Sequence, residues 1–384
     1  MSVIHVDLTR SDDRRDVVHR AVQMLAEGKL VVLPTETVYG VAASSLCPQA
    51  VERLLEVKGR ASNEPPTLAI GNADAALDYV PHMSQLGRRL ARRCWPGPLT
   101  LVFDNPGSDS LATQFSSTVQ QALMSAGSIG LRVPDHEIVR EILRLSAGPL
   151  VLSSANRGGE PAPLEATAAL EGLGDDVDMV LDDGDCHYGQ EATVVQLGAE
   201  GVRSVREGVI GAQAFQKYCS FMVLMVCTGN TCRSPMAECL MRQRLAAELD
   251  CQPESLESRG VMVFSAGIAA LADSPASLEA VDVLASRGID LSSHASQPVT
   301  ERLVRFADLI LAMTRGHRDA LIAQWPELVD RVCLLAQDGT EISDPIGGPL
   351  KLYRRCADQI DGHLEIQVRS LDLEQLLPGD LSGD

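Results

Sequence analysis

Residues 227–234, with the sequence CTGNTCRS, place a thiol and a guanidinium close together, directly after the apolar run MVLMV. A loop between a buried strand and a helix N-terminus points backbone N–H groups at a common centre, where the helix dipole adds positive potential. Such a field favours the thiolate form of a cysteine, and an arginine there can hold two phosphate oxygens. The pattern predicts that Cys227 is a nucleophile toward phosphorus and that Arg233 binds the phosphate. The simpler alternative is that Cys227 is only a small core residue.

The residues between this cysteine and this arginine have separate expected tasks. Gly229 allows the backbone to approach the phosphate closely, and Asn230 fixes the turn through side-chain hydrogen bonds. Ser234 is expected to cap the following helix, with Pro235 in its first turn. The predicted phosphate loop consists of Thr228, Gly229, Asn230, Thr231, Cys232 and Ser234.

A thiolate that attacks phosphorus also needs a proton donor for the leaving group. The segment EISDPIGGP supplies Asp344 in a loop bounded by proline and glycine, which suits an acid that reaches over a pocket. An Asp-Pro pair alone is usually a turn. The acid role of Asp344 therefore depends on its partnership with the cysteine loop.

The C-terminal part of the chain resembles the low-molecular-weight protein tyrosine phosphatase family over roughly residues 221–375. The resemblance implies a phosphocysteine intermediate on Cys227, with Arg233 and loop amides binding the phosphate. Asp344 would be the acid and then the base that activates water, phosphorylated proteins would be the substrates, and no metal or cofactor would be required. The matching features are CTGNTCRS at 227–234, SAG at 265–267, the SSHAS segment around His294, and Asp344-Pro345.

Within that family the chain is more similar to the bacterial protein-arginine phosphatases. Many tyrosine-directed members carry an aliphatic residue where this chain has Thr231, and often an aromatic residue where it has Ile346, before Gly347 and Gly348. Two alternatives stay open. One is a phosphotyrosine phosphatase. The other is an arsenate reductase, which shuttles oxidation through further cysteines, here represented by Cys232 and Cys239.

The N-terminal part has a different signature. KLVVLPTETVYGVA, VKGRASNEPPTLAI, WPGPLTLVF, IGLRVP and LVLSSANRGGEP follow one another in the chain. Singly these segments are ordinary, but in this order they resemble the YrdC-type threonylcarbamoyl-AMP synthases over about residues 10–212. Basic residues would neutralise a triphosphate and a carboxylate, and neutral ones would offer hydrogen bonds. The implied ATP- and threonine-binding residues are Thr35, Lys58, Arg60, Arg132, Ser154, Asn156 and Arg206.

That family condenses L-threonine, bicarbonate and ATP, with Mg²⁺ entering on the ATP, and releases pyrophosphate. The product is the first intermediate toward a modified adenosine in tRNA, which implies a link to the downstream threonylcarbamoyl-transfer machinery. The chain departs from the family pattern at Ala61, Ala69, Ala192 and Glu207, and two of these alanines remove polar groups expected near the amino acid. The N-terminal part is therefore either a working synthase or a nucleotide- or RNA-binding module that has lost the reaction.

The elements that position these residues indicate two α/β domains. A chain of 384 residues is long for one domain, and the patterning changes near residue 220. We predict a YrdC-like twisted open α/β sheet in residues 1–216 and a doubly wound parallel-sheet phosphatase domain in residues 220–384. The segment GAQAFQKYCS at 211–220 is expected to be a short polar connector.

Composition narrows the possible classes of function. Hydrophobic residues make up 45% and charged residues 22% of the chain, which is typical of a globular protein. The net charge of −19 argues against a surface that coats nucleic acid. No apolar run is long enough for a membrane span, and the N-terminus has no signal-peptide pattern. We expect a cytoplasmic protein with reduced, scattered cysteines and no metal site.

Overall fold

The computed structural model describes residues 3–11, 13–59, 65–125, 127–198 and 201–377. These residues form two compact units, and the division lies between Phe215 and Gln216. It falls within the α-helix Ala212–Cys219, so the segment predicted as a short polar connector is helical. Phe215 and Cys219 lie four positions apart, on one side of this helix, a spacing that is typical of a helix.

The first unit is built on one mixed sheet of eleven strands. The strands are β1 Ile4–Asp7, β2 Val31–Leu33, β3 Gly40–Ser44, β4 Thr67–Ala69, β5 Leu99–Asp104, β6 Met124–Ser125, β7 Ser128–Arg132, β8 Leu150–Ser154, β9 Met179–Asp182, β10 Thr193–Gly198 and β11 Gly201–Arg206. In space the strands follow the order β1-β9-β2-β3-β8-β4-β7-β5-β10-β11, and β6 pairs with β7. The pairs β1–β9, β2–β9, β4–β7 and β5–β10 are parallel, and the other pairs are antiparallel.

Helices cover this sheet and supply part of its core. Val17 and Leu25 of the first helix and Ile142 of the sixth pack against Val31 and Leu152 of the sheet in one buried cluster. Short 3-10 turns lie at Leu111–Gln114 and Gly174–Asp176. The helices are α1 Arg14–Ala26, α2 Pro48–Lys58, α3 Ala76–Tyr79, α4 Gln85–Cys94, α5 Ser117–Leu123, α6 Glu137–Leu145, α7 Ala166–Leu173 and α8 Ala212–Cys219.

The second unit contains a sheet of four parallel strands, β12 Phe221–Cys227, β13 Val261–Gly267, β14 Leu309–Ala312 and β15 Val332–Leu334. Their order in the sheet is β13-β12-β14-β15. The helices are α9 Arg233–Glu248, α10 Leu278–Ala285, α11 Glu301–Phe306, α12 Arg315–Gln324, α13 Leu350–Ser370 and α14 Leu373–Leu376, with 3-10 turns at Pro253–Ser255, Glu257–Arg259 and Pro326–Leu328.

Strand β12 shows why this sheet is covered on both faces. Val223 and Met225 pack in one buried cluster that includes residues of α9 and α13. Leu224 and Val226 pack in a second cluster with residues of α11 and α12. Successive side chains of a strand point to opposite faces, so an unbroken apolar run indicates burial on both. The predicted doubly wound parallel sheet, and the α/β class of the whole chain, are confirmed.

The start of α9 differs from the prediction in one respect. The helix begins at Arg233, and the flanking Cys232 makes no side-chain capping hydrogen bond. Ser234 lies inside the helix, so the prediction that it is the cap was wrong. Its hydroxyl instead contacts the thiol of Cys227. Pro235 does lie in the first turn, where the missing N–H of a proline breaks no helical hydrogen bond.

Candidate active sites

Cys227 is the last residue of β12, and its thiol is enclosed by the loop that follows. The backbone N–H of Asn230 donates to the sulfur at 3.2 Å, and Ser234 Oγ lies 2.9 Å from it. The cysteine is only 3% exposed. The sulfur thus has one defined donor, the N–H of Asn230, and a second polar neighbour in the Ser234 hydroxyl.

Asn230 holds the loop in its shape. Its backbone has a φ of 55°, a left-handed conformation that asparagine tolerates better than most residues. Its side-chain NH₂ donates to Ser234 Oγ and to Ser265 Oγ, both at 2.9 Å, and its Oδ1 accepts the N–H of Gln297 at 2.9 Å. The residue is fully buried. Every polar atom of this amide therefore has a partner.

The hydrogen bonds continue away from the cysteine. Ser265 Oγ donates to Glu238 at 2.6 Å, and Glu238 also pairs with Arg242 at 3.3 Å. His294 Nε2 lies 2.7 Å from the carbonyl oxygen of Asn230. Ser265 and His294 belong to the SAG and SSHAS segments of the sequence, which thus contain residues that support the loop. Glu238 was not identified from the sequence, because a single acidic residue on a helix is usually solvated.

The steric need for a glycine in this region lies at Gly267. A Cβ atom added there would stand 2.4 Å from the carbonyl oxygen of Thr228 and 2.9 Å from the backbone nitrogen of Asn230. A Cβ added at Gly229 would meet Thr231 Oγ1 at 3.7 Å, an ordinary contact. Within the protein it is therefore the SAG glycine of β13 that allows the phosphate loop to pack against the sheet.

Arg233 and Asp344 meet although they are far apart in the sequence. Arg233 Nη2 lies 2.5 Å from Asp344 Oδ2, and Arg233 also donates to the carbonyl of Ile342 at 3.3 Å. The arginine side chain is 6% exposed and the aspartate side chain 42% exposed. A buried guanidinium thus presents its charge to the more open side of the site, where Asp344 lies.

His317 is a further residue of this site that the sequence did not reveal. Its Nε2 lies 2.8 Å from Thr228 Oγ1, and its Nδ1 lies 2.9 Å from Thr314 Oγ1. Burial, together with the nearby charge of Arg233, lowers the pKa of His317 from 6.5 to about 4. The ring is therefore neutral near pH 7. In a sequence, a single histidine on an amphipathic helix that contacts a functional loop looks the same as one that only packs in the core.

The last residues of the loop contact α13 and the segment before α10. The N–H of Ser277 donates to the carbonyl of Thr231 at 2.9 Å. Cys232 Sγ lies 3.3 Å from Ser277 Oγ and 3.5 Å from the hydroxyl of Tyr353. These contacts hold Thr231 at the edge of the loop, where it is half-buried.

In the first unit Lys58 lies at the end of α2 and is held by the segment that follows β8. Its Nζ lies 2.9 Å from Ser154 O, 3.1 Å from Ser154 Oγ, 2.8 Å from Asn156 O and 2.7 Å from Asn156 Oδ1. The lysine is 6% exposed. An ammonium group has three protons for these four oxygens, so Lys58 fixes the shape of residues 154–156 as well as bringing charge to them.

Arg132, at the end of β7, is joined to the loop between β2 and β3. Its Nη2 donates to Glu36 Oε1 and to Thr37 Oγ1, both at 2.8 Å. Glu36 Oε2 accepts the N–H of Asp135 at 2.9 Å. Thr35 Oγ1 lies 2.9 Å from Thr37 Oγ1. Thr35 and Arg132 are thus brought together, with Glu36 as a buried counter-ion that the sequence had not singled out.

The sequence singled out further positions in this unit. Ala69 is buried and lies in register with Arg132 across β4 and β7, so this position offers that arginine a methyl group and no polar atom. Arg206 donates to the carbonyl of Ala192 at 3.1 Å and pairs with Glu191 at 3.0 Å. Arg60 and Ala61 lie outside the described residues.

Two cavities lie beside these groups. The larger, about 660 Å³, is lined by Asn156 among other residues, and the smaller, about 320 Å³, is lined by Thr35 and Glu36. Both are also lined by Asp185 and Cys186. Their combined volume is in the range of small-molecule sites.

Comparison with known proteins assigns both units. The Sua5/YciO/YrdC family model, described as "Telomere recombination", matches residues 23–208, and the model of low molecular weight phosphotyrosine protein phosphatases matches residues 222–376. A putative threonylcarbamoyl-AMP synthase of Mycobacterium tuberculosis is 33% identical, over 54% of this chain and 91% of that protein. A protein-arginine-phosphatase of Geobacillus stearothermophilus is 37% identical, over 40% of this chain and 99% of that protein. The chain belongs to both families.

The resemblances inferred from the sequence are thereby confirmed, and the two parts are named here the synthase-family unit and the phosphatase-family unit. A threonylcarbamoyl-AMP synthase of Pyrococcus abyssi is 34% identical over 46% of this chain, and the chain covers about half of it, 49%. The crystal structure of P. abyssi Sua5 complexed with L-threonine matches with a TM-score of 0.50 at 22% identity, over 69% of this chain and 92% of that one. That likeness concerns the fold.

Two kinds of feature are absent from the described part of the chain. Within the ranges that the structure describes, no group of three or more His, Cys, Asp and Glu side chains is arranged to hold a metal ion. In the same ranges no helix has the length and apolar character needed to cross a membrane.

Proposed function

We propose that the phosphatase-family unit hydrolyses phosphorylated proteins through a phosphocysteine intermediate. Cys227 Sγ attacks the phosphorus atom, and the bond to the leaving group breaks as Asp344 gives that group a proton. Asp344 then takes a proton from water, the water oxygen bonds to phosphorus, and the bond between sulfur and phosphorus breaks, which restores the thiolate and releases phosphate. The observation that carries the proposal is that Cys227, Arg233 and Asp344 converge around one loop.

The positive charge at this site comes from Arg233. Its planar guanidinium can form two parallel hydrogen bonds to a phosphate, and its burial strengthens them. In the structure one N–H group of that guanidinium already donates to Asp344. A bound phosphate and Asp344 therefore compete for Arg233, and binding of the phosphate leaves the carboxyl beside the leaving group.

We further propose that the substrate is phosphoarginine, and that Thr231 contributes to this choice. A phosphorylated guanidinium carries N–H donors where a phenyl ring has only carbon edges. A threonine hydroxyl can accept a hydrogen bond from such an N–H group. An aliphatic side chain would leave the N–H group without a partner, at a cost of about 1–3 kcal/mol in binding free energy. The pair Gly347 and Gly348 supplies no aromatic wall for a phenol ring. The name of the Geobacillus relative supports the same substrate.

The test compares kcat/KM for phosphoarginine and phosphotyrosine in the wild type and in Thr231→Ile, with Thr340→Ile as a control in an exposed loop. We expect the wild type to prefer phosphoarginine and Thr231→Ile to lower that preference by about tenfold or more. An unchanged ratio would make Thr231 a packing residue. A wild type that prefers phosphotyrosine would remove the arginine assignment and leave the cysteine mechanism in place.

The thiol of Cys239 bears on the arsenate reductase alternative. Burial raises the pKa of Cys239 to about 12. A thiol with such a pKa is almost entirely protonated at pH 8 and therefore attacks disulfides poorly. This argues against Cys239 as a shuttle cysteine. Arsenate-dependent oxidation of thioredoxin that is lost in Cys239→Ser would reverse that conclusion.

For the synthase-family unit we propose the formation of threonylcarbamoyl-AMP from L-threonine, bicarbonate and ATP, with release of pyrophosphate. The contacts of Lys58 with Ser154 and Asn156, and the pairing of Arg132 near Thr35, place basic groups beside cavities large enough for these substrates. Mg²⁺ would enter with ATP, and the tRNA threonylcarbamoyl-transfer machinery would consume the product. Because the reaction needs ATP and the phosphatase a reduced thiol, we propose the cytoplasm as the location.

The test measures pyrophosphate release from ATP by the intact chain, with and without threonine and bicarbonate. We expect release that depends on both, and its loss in Lys58→Met, Arg60→Met or Arg132→Met. Thermal protection by ATP without such release would identify a nucleotide-binding module that has lost the reaction. In that outcome Ala69, in register with Arg132, becomes the first position to replace with a polar residue.

We also propose that the units fold independently, as residues 1–216 and 220–384. Each has its own sheet and its own buried clusters, which is the property that allows a domain to fold alone. Separate expression should give two proteins that each unfold in one cooperative transition. If a fragment shows no such transition, the proposed boundary is wrong. The next fragment to test would then include the whole helix Ala212–Cys219.

A further inference from the structure

Helix α12 reaches the phosphate loop through its first turn. His317 contacts Thr228 through Nε2 and Thr314 through Nδ1. The histidine is 6% exposed, whereas Thr228, the residue directly after the nucleophile, is exposed. A buried ring thus contacts the hydroxyl of an exposed residue of the loop, and the proposed chemistry gives this ring no task.

Two contacts of these hydroxyl groups can run only one way, and the tautomer of the His317 ring sets the direction of the other two. Arg233 Nη2 donates to Thr228 Oγ1 at 3.4 Å, because a guanidinium has no acceptor. The backbone N–H of His317 donates to Thr314 Oγ1 at 3.3 Å. With the ring proton on Nε2, His317 donates to Thr228, and the Thr314 hydroxyl donates to Nδ1. The hydroxyl proton of Thr228 then remains available for another acceptor.

We propose that His317 is a positioning residue that turns the hydroxyl of Thr228 toward the phosphate of the substrate as a hydrogen-bond donor. The proposal rests on the proposed phosphatase function. A phosphate is an acceptor with three oxygens, and a hydroxyl beside the attacked atom gives one of them a partner that the loop amides and Arg233 need not supply.

The neutral state of the ring fits this task. The charged groups that face it are Arg233, Asp344 and Glu341, and burial together with Arg233 lowers the pKa of His317 to about 4. A neutral ring leaves the positive charge of the site on Arg233 and keeps one nitrogen as an acceptor for Thr314. A protonated ring would have two donors and would break the arrangement just described.

A double-mutant cycle in the intact chain tests the proposal. It measures kcat/KM for phosphoarginine and for para-nitrophenyl phosphate, and the inhibition constant of orthovanadate, in wild type, His317→Leu, Thr228→Val and the double variant. Each single change should lower kcat/KM about tenfold and raise the inhibition constant of orthovanadate about tenfold, as expected for the loss of one hydrogen bond to a charged group. The double variant should have the same kcat/KM and the same inhibition constant as Thr228→Val. Losses that multiply, or a His317→Leu variant with normal kinetics, would overturn the proposal.

A conservative variant separates positioning from packing. The side-chain amide of His317→Gln can still donate to Thr228, so it should recover most of the lost vanadate affinity, whereas a packing role would be served as well by leucine. His363→Leu, a half-buried histidine on α13, is the matched control and should keep wild-type kinetics. If His317→Leu does not fold, equal weakening in His317→Gln and in a folded His317→Met would also reject the proposal.

The readouts distinguish this proposal from the proposed function. A wild type that binds vanadate but hydrolyses neither substrate would refute the phosphatase function, while the cycle measured on vanadate would still decide the role of His317. A wild type that binds no vanadate would refute both.

Discussion

Arg233 and Asp344 form an ion pair of 2.5 Å across the phosphatase site, although they are separated by 111 positions in the chain. The pair places the proposed phosphate ligand and the proposed acid in direct contact. Whatever binds to Arg233 therefore changes the surroundings of Asp344 as well.

Asp344→Asn should separate two effects of this carboxylate. Turnover should fall most for aryl phosphates with poor leaving groups, because these depend most on a proton donor. The affinity for vanadate should rise severalfold, because an amide competes less well than a carboxylate for Arg233. Rates across a leaving-group series and vanadate inhibition constants measure both, with Asp338→Asn as the control in the same connecting segment. Equal slowing across the series, together with weaker vanadate binding, would contradict this account.

Asn230→Ala should destabilise the phosphatase-family unit by about 2–4 kcal/mol. The change removes three buried side-chain hydrogen bonds and places alanine at a φ of 55°. Urea unfolding followed by Trp325 fluorescence, in a Trp95→Phe background, measures the loss. Asp250 is exposed and has a φ of 47°, so Asp250→Ala measures the cost of placing alanine in a left-handed conformation by itself. We expect this cost to be about 1 kcal/mol. Equal losses in the two variants would show that the hydrogen bonds contribute little.

Lys58→Met should destabilise the synthase-family unit by about 2–4 kcal/mol in addition to any effect on ATP. The variant leaves the carbonyl groups of Ser154 and Asn156 without the buried donor they now share. Trp95 fluorescence in a Trp325→Phe background reports unfolding of this unit. Lys29→Met, whose ammonium lies 3.9 Å from a carboxylate and is more exposed, should cost less than about 1 kcal/mol. A Lys58→Met variant of normal stability that has lost only ATP binding would assign Lys58 to the substrate alone.

The phosphatase-family unit should lose stability in acid partly through His317. The pKa of this histidine is about 4 in the folded chain and 6.5 ordinarily, so the unfolded state binds a proton more readily. The contribution of the neutral His317 ring to the free energy of unfolding is fully present above pH 6.5. It decreases as the pH falls from 6.5 toward 4, by up to about 3 kcal/mol. The measurement is the difference between wild type and His317→Gln in unfolding free energy across this range. Parallel curves would show that the ring titrates normally.

The sequence predicted those parts of the structure that depend on local pattern. The run ending at Cys227 predicted a central parallel strand because every residue of it is apolar, and the loop and helix after it followed from residue type. Ser234 was misassigned because the helix begins before it, at Arg233, and its hydroxyl has a partner in the thiol of Cys227. Local propensity carries no information about such a partner.

The residues that the sequence missed share one property. His317, Glu36 and Glu238 act through contacts with segments distant in the chain, and each lies in a stretch whose own pattern is ordinary. The sequence pointed to Lys58 and Arg132 but not to their partners. Ser154 and Glu36 lie beside them because of the order of the strands in the sheet. Pairing across a sheet is set by the whole fold and cannot be read from one segment.

The position of β12 has a consequence for the motions of the phosphatase site. All seven residues of this strand are buried, and it is hydrogen-bonded on both edges, to β13 and to β14. Amide protons in such a strand exchange with solvent only when the whole unit opens. Deuterium should therefore enter the chain just before Cys227 last of all, while phosphate should slow exchange only in residues 228–233. Cys227, the proposed nucleophile, stands at the end of a strand that is paired on both edges, and we expect it to be in place before the substrate arrives.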